Sequence, residues 1–175
     1  MEIWFIRHTS VDVPRGTCYG RTDVPLRDTF EEEADEVHKN IGETTFDAVY
    51  SSPLTRARRL AAYCGYPEPI VDPRVLEVDY GEWEMANFID NPTPGMLAWY
   101  EDWKNVRPPG GETFREAFLR VSGFIEELKA SGRERVAVFC HGGVLICAAI
   151  YAGSIPFDDA LPGAFQYGEI LKIEV

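Results

Sequence analysis

The sequence predicts an α/β protein with a three-layer α/β/α arrangement and a mostly parallel central sheet. Short apolar runs bounded by turn residues, which are typical of buried strands, alternate along the chain with longer stretches of helical periodicity. Elements that alternate in this way form parallel sheets covered by helices on both faces. With 175 residues, the chain has the length of one domain with a sizeable core, and we expect a single domain over 1–175.

Apolar periodicity places the predicted elements. The strands are expected at 2–7, 46–50, 136–140 and 169–175, with an extended piece at 70–78. The helices are expected at 28–41, 54–64, 113–130 and 143–152. Ser52 as N-cap with Pro53 in the first turn predicts the start of the second helix, and Thr113 with Glu116 predicts a capping box for the third.

Side-chain patterns within the helices predict which positions are buried. The second helix is expected to bury one stripe of small and apolar residues: Leu54, Ala57, Ala61 and Cys64. In the first helix, the acidic run 31–33 and His38 are expected to face solvent.

Two irregular stretches are expected to contribute to function. The loop 9–27 is long, polar and rich in glycine and proline, and such loops inside a compact domain are usually functional. The aromatic and proline-rich stretch 85–111 is interpreted as an insertion that packs over one edge of the sheet, in a position to cover the site. Trp99 and Trp103 in this insertion are expected either to stack on a flat ligand or to serve as plain core residues.

The composition of the chain argues against several classes of function. Hydrophobic residues make up 45% and charged residues 26%, as in ordinary globular proteins, while the net charge of -12 opposes binding to nucleic acid or to an anionic membrane surface. No apolar run approaches ~18 residues, so no membrane span is expected. The cysteines form no CxxC pair and predict free thiols in a reduced compartment. With no signal peptide before the first strand, we expect a cytoplasmic protein.

Two of the predicted strands end in histidine. Arg7 and His8 follow the first apolar run, and His141 follows the run 136–140 and opens a Gly-Gly turn. One such histidine alone is best explained as a satisfied core residue. Two of them, at the strand ends where α/β sheets bind ligands, favour a functional site.

Arginines near these strand ends indicate a phosphoryl group as the ligand. Arg7 lies beside His8, and Arg56 lies one turn after Ser52, so that its guanidinium leans back toward the strand end. Arginine offers paired donors to phosphate oxygens, and helix N-termini offer backbone N–H groups to the same anion. Gly142 permits close approach of the backbone. A neutral imidazole can attack phosphorus, and a carboxylic acid can protonate the leaving oxygen.

The residues alone leave the identity of that acid open among four carboxyl groups: Glu77, Asp79, Glu82 and Glu84. A metal site is the chemical alternative, because histidine and glutamate are also metal ligands. The sequence contains no HExxH motif and no carboxylate cluster beside either histidine, and the flanking arginines would repel a cation. We therefore expect neither a metal nor another cofactor.

Four motifs in order resemble those of the histidine phosphatase superfamily, the phosphoglycerate-mutase-like proteins, over nearly the whole chain. They are the Arg7-His8 pair, the segment 51–57 (SSPLTRA), Leu76-Glu77 followed by Tyr80-Gly81 and Trp83-Glu84, and the segment 141–143 (HGG). The resemblance implies a phosphoglycerate-mutase-like fold and makes His8 the nucleophile that becomes phosphorylated. It implies that Arg7, Arg56 and His141 hold the phosphoryl oxygens. It also selects Glu77 as the general acid, and later as the base for the attacking water.

The chain departs from the family pattern after His8. Pro14 stands where the family usually has an asparagine that binds phosphate, and Ser10, Thr22 or backbone N–H groups of the 18–20 turn are the expected replacements. Met85 stands where a glycine is common. The segment 18–26 (CYGRTDVPL) is most similar to the α-ribazole phosphatase branch, whose members remove a 5′-phosphate from a nucleoside-like substrate.

The resemblance and the residues together predict a phosphomonoesterase that acts on a small-molecule phosphomonoester without a cofactor. Two alternatives stay open. A phosphoglycerate mutase would transfer the phosphoryl group between hydroxyls instead of to water. A non-catalytic module would bind a phosphorylated ligand, and the altered run after His8 is the feature that motivates it.

Overall fold

The computed structural model describes residues 1–175 and contains one five-stranded sheet. The strands are β1 (Glu2–Arg7), β2 (Ala48–Ser51), β3 (Ile70–Val71), β4 (Arg135–Cys140) and β5 (Ile170–Glu174). Their order across the sheet is β3-β2-β4-β1-β5. The first four run parallel to one another, and β5 pairs with β1 in the antiparallel direction at one edge.

Helices cover both faces of this sheet, so the predicted three-layer fold is confirmed. They are α1 (Phe30–Ile41), α2 (Thr55–Tyr63), α3 (Pro94–Glu101), α4 (Phe114–Ala130) and α5 (Gly142–Tyr151). Ile6 and Phe139 pack with α1 and α2 on one face, while Phe5 and Val138 pack with α4 and α5 on the other. Successive residues of a strand point to opposite faces, so β1 and β4 supply both cores. None of the helices has the length and apolar character needed to cross a bilayer.

The start of α4 agrees with its predicted capping box. The Thr113 hydroxyl accepts from the Glu116 N–H at 3.2 Å, and the Glu116 carboxylate accepts from the Thr113 N–H at 2.8 Å. These two bonds satisfy donors that a helix start otherwise leaves free. The buried residues of α4 form one apolar face and are Phe114, Ala117, Val121, Phe124, Ile125 and Leu128, while Phe118 is half-buried.

The start of α2 differs from the prediction. The helix begins at Thr55 rather than next to Ser52, because Asp23 from the long loop accepts from the Thr55 N–H at 3.1 Å. The Ser52 hydroxyl accepts from the Leu54 N–H at 3.3 Å and also lies 2.7 Å from His141 Nε2. The predicted inner stripe of α2 also missed Leu60 and Arg56, which are fully buried, while Leu54 is only half-buried.

Several other boundaries shift by a few residues. β2 begins at Ala48, because the Asp47 carboxylate turns to accept from the N–H groups of Glu134 and Arg135. The extended piece 70–78 contributes only the two-residue β3 and then a 3₁₀ turn at Pro73–Val75.

Met85, which stands where the family pattern commonly has a glycine, has an unfavourable backbone conformation. It has a φ of 64°, and it is the one non-glycine residue with a positive φ. L-residues adopt this conformation at a cost of about 1–2 kcal/mol. The side chain is exposed, so the backbone accepts it without a steric clash in the core.

Candidate active site

The sheet brings the two predicted histidines together. β1 and β4 are parallel neighbours, with Arg7 opposite Cys140, so His8 and His141 emerge side by side at the same edge. Their ring centroids are 5.2 Å apart, with an angle of 62° between the rings. Both side chains are almost completely buried. The strand ends therefore converge as α/β topology requires.

Two hydrogen bonds determine where the proton of His8 resides. The His8 Nδ1 atom lies 2.7 Å from the Thr9 carbonyl oxygen, which can only accept, so Nδ1 carries the hydrogen. The Arg56 Nε–H donates to His8 Nε2 at 3.2 Å, so Nε2 carries the lone pair. The ring is therefore a neutral imidazole with its nucleophilic nitrogen directed at the guanidinium of Arg56.

Burial keeps both histidines neutral. The pKa of His8 is held well below its usual value by loss of solvation and by the charges of Arg56 and Arg7. The pKa of His141 is lowered in the same direction by burial, by Arg56 and by His8. A buried imidazole surrounded by cations favours the uncharged form, because protonation would add another positive charge to a site with little water.

Arg56 reaches back from the first turn of α2 to the strand ends, as its predicted position required. It is fully buried, and beyond His8 its guanidinium donates to the carbonyl oxygens of Thr22 at 2.8 Å and Gly20 at 2.6 Å. It forms no ion pair within 4.0 Å. Its charge is therefore available to an anion that enters between it and His8.

His141 is oriented from the neighbouring strand end. Its Nε2 atom lies 2.7 Å from the hydroxyl oxygen of Ser52, which follows β2. Its Nδ1 atom is buried and has no hydrogen-bond partner in the protein. Buried polar atoms without partners are rare, and an anion in the site is one group that would satisfy such a donor.

Among the four candidate carboxyl groups, only Glu77 reaches the strand-end site. Its carboxylate accepts from the Gly143 N–H at 3.1 and 3.2 Å, in the first turn of α5. Asp79 forms an ion pair with Arg21 at 3.1 Å, and Glu84 accepts from the Arg21 and Thr22 N–H groups. Glu82 is exposed. This position agrees with the choice that the family resemblance makes and that sequence spacing alone leaves open.

Arg7 lies on the other side of the site, against residues that the sequence analysis missed. Its guanidinium donates to the Phe165 carbonyl oxygen and lies 4.1 Å from the centre of the Tyr167 ring. Its Nε atom is buried without a partner. Gly142 is close enough that a Cβ there would lie 3.2 Å from the guanidinium carbon.

Tyr167 lies above the histidine pair. Its ring centroid is 5.6 Å from that of His8, and its hydroxyl lies 2.7 Å from the hydroxyl of Tyr19 in the long loop. Tyr167 precedes β5 by three residues and has no spacing or motif that relates it to His8. Only the return of the chain to the edge of β1 brings it here.

The hydroxyl groups of Ser10 and Thr22 are engaged elsewhere. Ser10 donates its hydroxyl proton to Glu33 of α1, which also accepts from the Ser10 N–H at 2.7 Å. Thr22 donates its hydroxyl proton to Glu84. A hydroxyl has a single proton to donate, so neither side chain has one left for an anion. Glu33 also departs from the prediction for the acidic run, since it is half-buried rather than fully solvated.

A cavity of about 460 Å³ adjoins the histidine pair. Its charged lining residues are Arg7 and Glu77, at the end next to the site. The remainder is uncharged and includes eight aromatic residues: Tyr19, Tyr80, Phe88, Trp99, Tyr100, Trp103, Phe114 and Phe165. Several of these residues belong to the predicted 85–111 insertion, where Trp99 serves both as a buried core residue and as part of the cavity wall.

Known proteins are similar to this chain in sequence and in fold. The chain is 31% identical over 154 residues to the adenosylcobalamin/alpha-ribazole phosphatase of Salmonella typhimurium, an alignment that covers 83% of this chain and 76% of that protein. It is 27% identical over 149 residues to phosphoserine phosphatase 1 of Hydrogenobacter thermophilus, covering 81% and 71%. The crystal structure of the alpha-ribazole phosphatase from Shigella flexneri matches with a TM-score of 0.87 at 25% identity, covering 100% of this chain and 91% of that one.

A family model describes the chain almost from end to end. The model of the histidine phosphatase superfamily (branch 1) matches residues 3–175, which includes both strand-end histidines, Arg56 and Glu77. Sequence, fold and family model therefore agree: the chain belongs to the histidine phosphatase superfamily and is a phosphatase.

Proposed function

We propose that the protein is a phosphomonoesterase that works through a phosphohistidine on His8. The observation that carries this proposal is the pair of contacts at His8: Nδ1 lies 2.7 Å from the Thr9 carbonyl oxygen, and Nε2 accepts from Arg56, which together favour the tautomer with its lone pair on Nε2. An imidazole fixed in this form attacks without first losing a proton. The ring is positioned by backbone geometry, so little entropy is lost when it reacts.

The first step transfers the phosphoryl group to the enzyme. His8 Nε2 forms a bond to phosphorus while the bond between phosphorus and the ester oxygen breaks. The Glu77 carboxyl group gives its proton to that oxygen, and the alcohol leaves into the adjoining cavity. Arg56, Arg7 and His141 surround the proposed anion position with donors, and the partnerless Arg7 Nε and His141 Nδ1 atoms support this assignment.

The second step returns the enzyme to its starting state. A water molecule attacks phosphorus and gives one proton to the Glu77 carboxylate, while the bond between phosphorus and His8 Nε2 breaks. Inorganic phosphate leaves, Glu77 is again protonated, and His8 again has a free lone pair. The N–H of Gly142 at the start of α5 is a further proposed donor to the anion, since the first N–H groups of a helix have no acceptor within it.

The cavity supports an aromatic, uncharged leaving group, and we propose α-ribazole 5′-phosphate as the substrate in cobalamin biosynthesis. A flat base can stack on the aromatic walls. Phosphoglycerates and phosphoserine carry a carboxylate beside the ester, and burying it without a cation would be costly. Arg7 is the one lysine or arginine in the lining.

Four free cysteines, three of them buried, support the expectation of a cytoplasmic enzyme.

Trapping the intermediate tests the mechanism. Protein mixed with excess p-nitrophenyl phosphate and quenched under denaturing, alkaline conditions should gain the mass of one phosphoryl group, and fragmentation should place it on His8. His8→Ala should abolish labelling and lower turnover on the order of 10³-fold or more. His38→Ala is the matched control, because His38 lies exposed on α1, away from the site.

A substrate panel tests the leaving group. We expect kcat/KM to be higher for α-ribazole 5′-phosphate than for phosphoserine and 3-phosphoglycerate. Transfer to a hydroxyl acceptor instead of water would identify a mutase. A folded protein with no turnover and no labelled His8 would reject the phosphatase mechanism and leave the non-catalytic module.

A further inference from the structure

We propose that three charged side chains, Arg21, Glu112 and Arg120, act together as a positioning device for Glu77. We call this set the acid clamp. The proposal rests on the assigned role of Glu77 as the proton donor, and it adds three residues that neither motif spacing nor the strand-end site indicated. Its predicted effect is on the proton transfers made by Glu77, of which kcat/KM reports the transfer to the leaving oxygen.

Glu77 lies in a segment without regular secondary structure. The residues from Leu76 to Tyr80 belong to no helix or strand, between 3₁₀ turns at Pro73–Val75 and Gly81–Trp83. Their backbone groups therefore lack the regular ladder that positions His8 and His141. The Val78 N–H donates to the Glu77 carboxylate at 3.0 Å, while the N–H groups of Asp79 and Tyr80 find their acceptors outside the segment.

The acid clamp supplies those partners. Arg120 donates to the Glu77 carbonyl oxygen at 3.0 Å, and Arg21 donates to the same oxygen at 3.4 Å. The Glu112 carboxylate accepts from the Asp79 N–H at 3.1 Å. The backbone is thus held on both sides of Val78, the residue that follows Glu77.

Glu112 connects the two arginines. Its carboxylate accepts from Arg120 at 2.7 Å and from Arg21 at 3.1 Å, and its side chain is only 14% exposed. Arg120 also donates to the Arg74 carbonyl oxygen at 2.7 Å, which ties the 3₁₀ turn before this segment to α4. Paired arginine and carboxylate groups of this kind fix geometry as well as adding energy.

The clamp and α5 hold Glu77 from opposite ends. The clamp fixes its backbone, and the Gly143 N–H fixes its carboxylate at 3.1 Å. Between these points only the side-chain torsions of Glu77 remain free. Since a proton donor must lie within hydrogen-bond reach of the leaving oxygen, a loosened backbone should cost proton transfer before it costs phosphate binding.

Leaving-group dependence separates positioning of the acid from general damage. p-Nitrophenyl, phenyl and benzyl phosphate share a ring but release increasingly basic oxygens, so their dependence on a proton donor increases in that order. We expect Glu112→Gln to lower kcat/KM about tenfold or more with benzyl phosphate, within the contribution of a general acid. With p-nitrophenyl phosphate we expect a loss of less than about threefold.

Three further variants make the test specific. Glu127→Gln, also on α4, removes the ion pair between Glu127 and Arg74 without a contact to the 77–79 segment. We expect kcat/KM to stay unchanged for all three substrates. In a Glu77→Gln background, Glu112→Gln should cost no additional activity, because it acts through Glu77. Arg21→Lys, at a side chain that is 34% exposed, keeps the charge, risks less for the fold, and should show the same substrate dependence.

The outcomes distinguish this proposal from the phosphatase assignment. Equal losses with all three substrates, additive losses in the double variant, no loss at all, or failure of both Glu112→Gln and Arg21→Lys to fold would overturn the acid clamp as a positioning device. Each of these results leaves phosphorylation of His8 in the native protein intact. Only the absence of that labelling in the native protein would reject the phosphatase mechanism itself.

Discussion

His8 and His141 carry the chemistry of the site at the scale of single residues. Both are buried, and both have a pKa well below the usual histidine range because they lose solvation and lie close to Arg56. The folded protein therefore keeps two neutral imidazoles under mildly acidic conditions. A neutral His8 retains its lone pair as pH falls, which is the property that the proposed nucleophile needs.

The same burial predicts how stability depends on pH. In the unfolded chain a histidine takes up a proton below about pH 6.5, whereas His141 in the folded state does not. The unfolded state then binds more protons, so stability is lost as pH falls below 6.5, by up to about 1.4 kcal/mol per pH unit for each such histidine. His141→Gln should reduce this slope between pH 6 and 5, as measured by urea unfolding. Identical slopes would show that His141 is protonated in the fold.

Arg56 is a fully buried cation that forms no ion pair with a carboxylate of the protein. Inorganic phosphate at about 100 times its Kd should stabilise the native protein by about 2.7 kcal/mol, since it binds only the folded state. Arg56→Met should abolish the rise in Tm, because the shape of the side chain is kept while its donors and charge are lost. Arg58→Met changes an exposed neighbour on α2 and should leave the rise intact. A phosphate response that survives in Arg56→Met would exclude Arg56 from the anion site.

At the scale of elements, the site depends on how closely α5 approaches the segment that carries Glu77. The first turn of α5 contains Gly142 and Gly143, and both face side chains of the site. A Cβ on Gly143 would collide with the Glu77 carboxylate, and one on Gly142 would press on Arg7. Two glycines in a helix start are unfavourable for the helix itself, so close approach of the backbone is their physical reason.

Gly143→Ala should therefore lower activity while preserving the fold. We expect kcat/KM to fall about tenfold or more, because the carboxylate is displaced from the Gly143 N–H and from the leaving oxygen. Gly123→Ala is the matched control in α4, where a Cβ meets nothing within 4 Å. It should keep full activity and gain about 0.5–1 kcal/mol of stability, as alanine does over glycine in a helix. Equal activity of both variants would mean that Glu77 does not need its observed position.

At the scale of the whole molecule, the net negative charge opposes the binding of an anionic substrate, whereas the local charge at the site favours it. Acidic residues exceed basic ones by 29 to 17, which repels an anionic substrate at long range. Arg7 and Arg56 converge on the buried histidine pair and reverse the sign of the charge there. Specific capture of a phosphate thus depends on the tertiary arrangement of a few cations and not on composition.

The aromatic cluster of the insertion should unfold together with the main core. Trp83 and Trp99 lie in that cluster, while Tyr80 and Trp103 pack against both the cluster and the core. In a Trp4→Phe variant, the three remaining tryptophans all report on this region. Urea unfolding followed by their fluorescence should coincide with unfolding followed by far-ultraviolet circular dichroism. A lower midpoint by fluorescence would show that the insertion unfolds as a separate unit.

Much of the fold could be predicted because its signals are local. The Thr113–Glu116 capping box and the apolar run of β1 depend on residues close together in the chain. Arg56 was placed correctly, because one helical turn fixes its direction relative to the strand before it. The start of α2 was misplaced because its cap, Asp23, comes from a loop more than 30 residues away in the chain.

The sequence by itself determined the α/β class, the two histidines at strand ends, and the family to which the chain belongs. Only the tertiary structure placed the Glu77 carboxylate against the first turn of α5, engaged the hydroxyls of Ser10 and Thr22 elsewhere, and brought Tyr167 over His8. The physical reason is the separation along the chain between the residues that interact. Strand and helix patterns follow from neighbours along the chain, whereas hydrogen-bond partners are decided by which distant segments the folded sheet and its helices bring within about 3 Å.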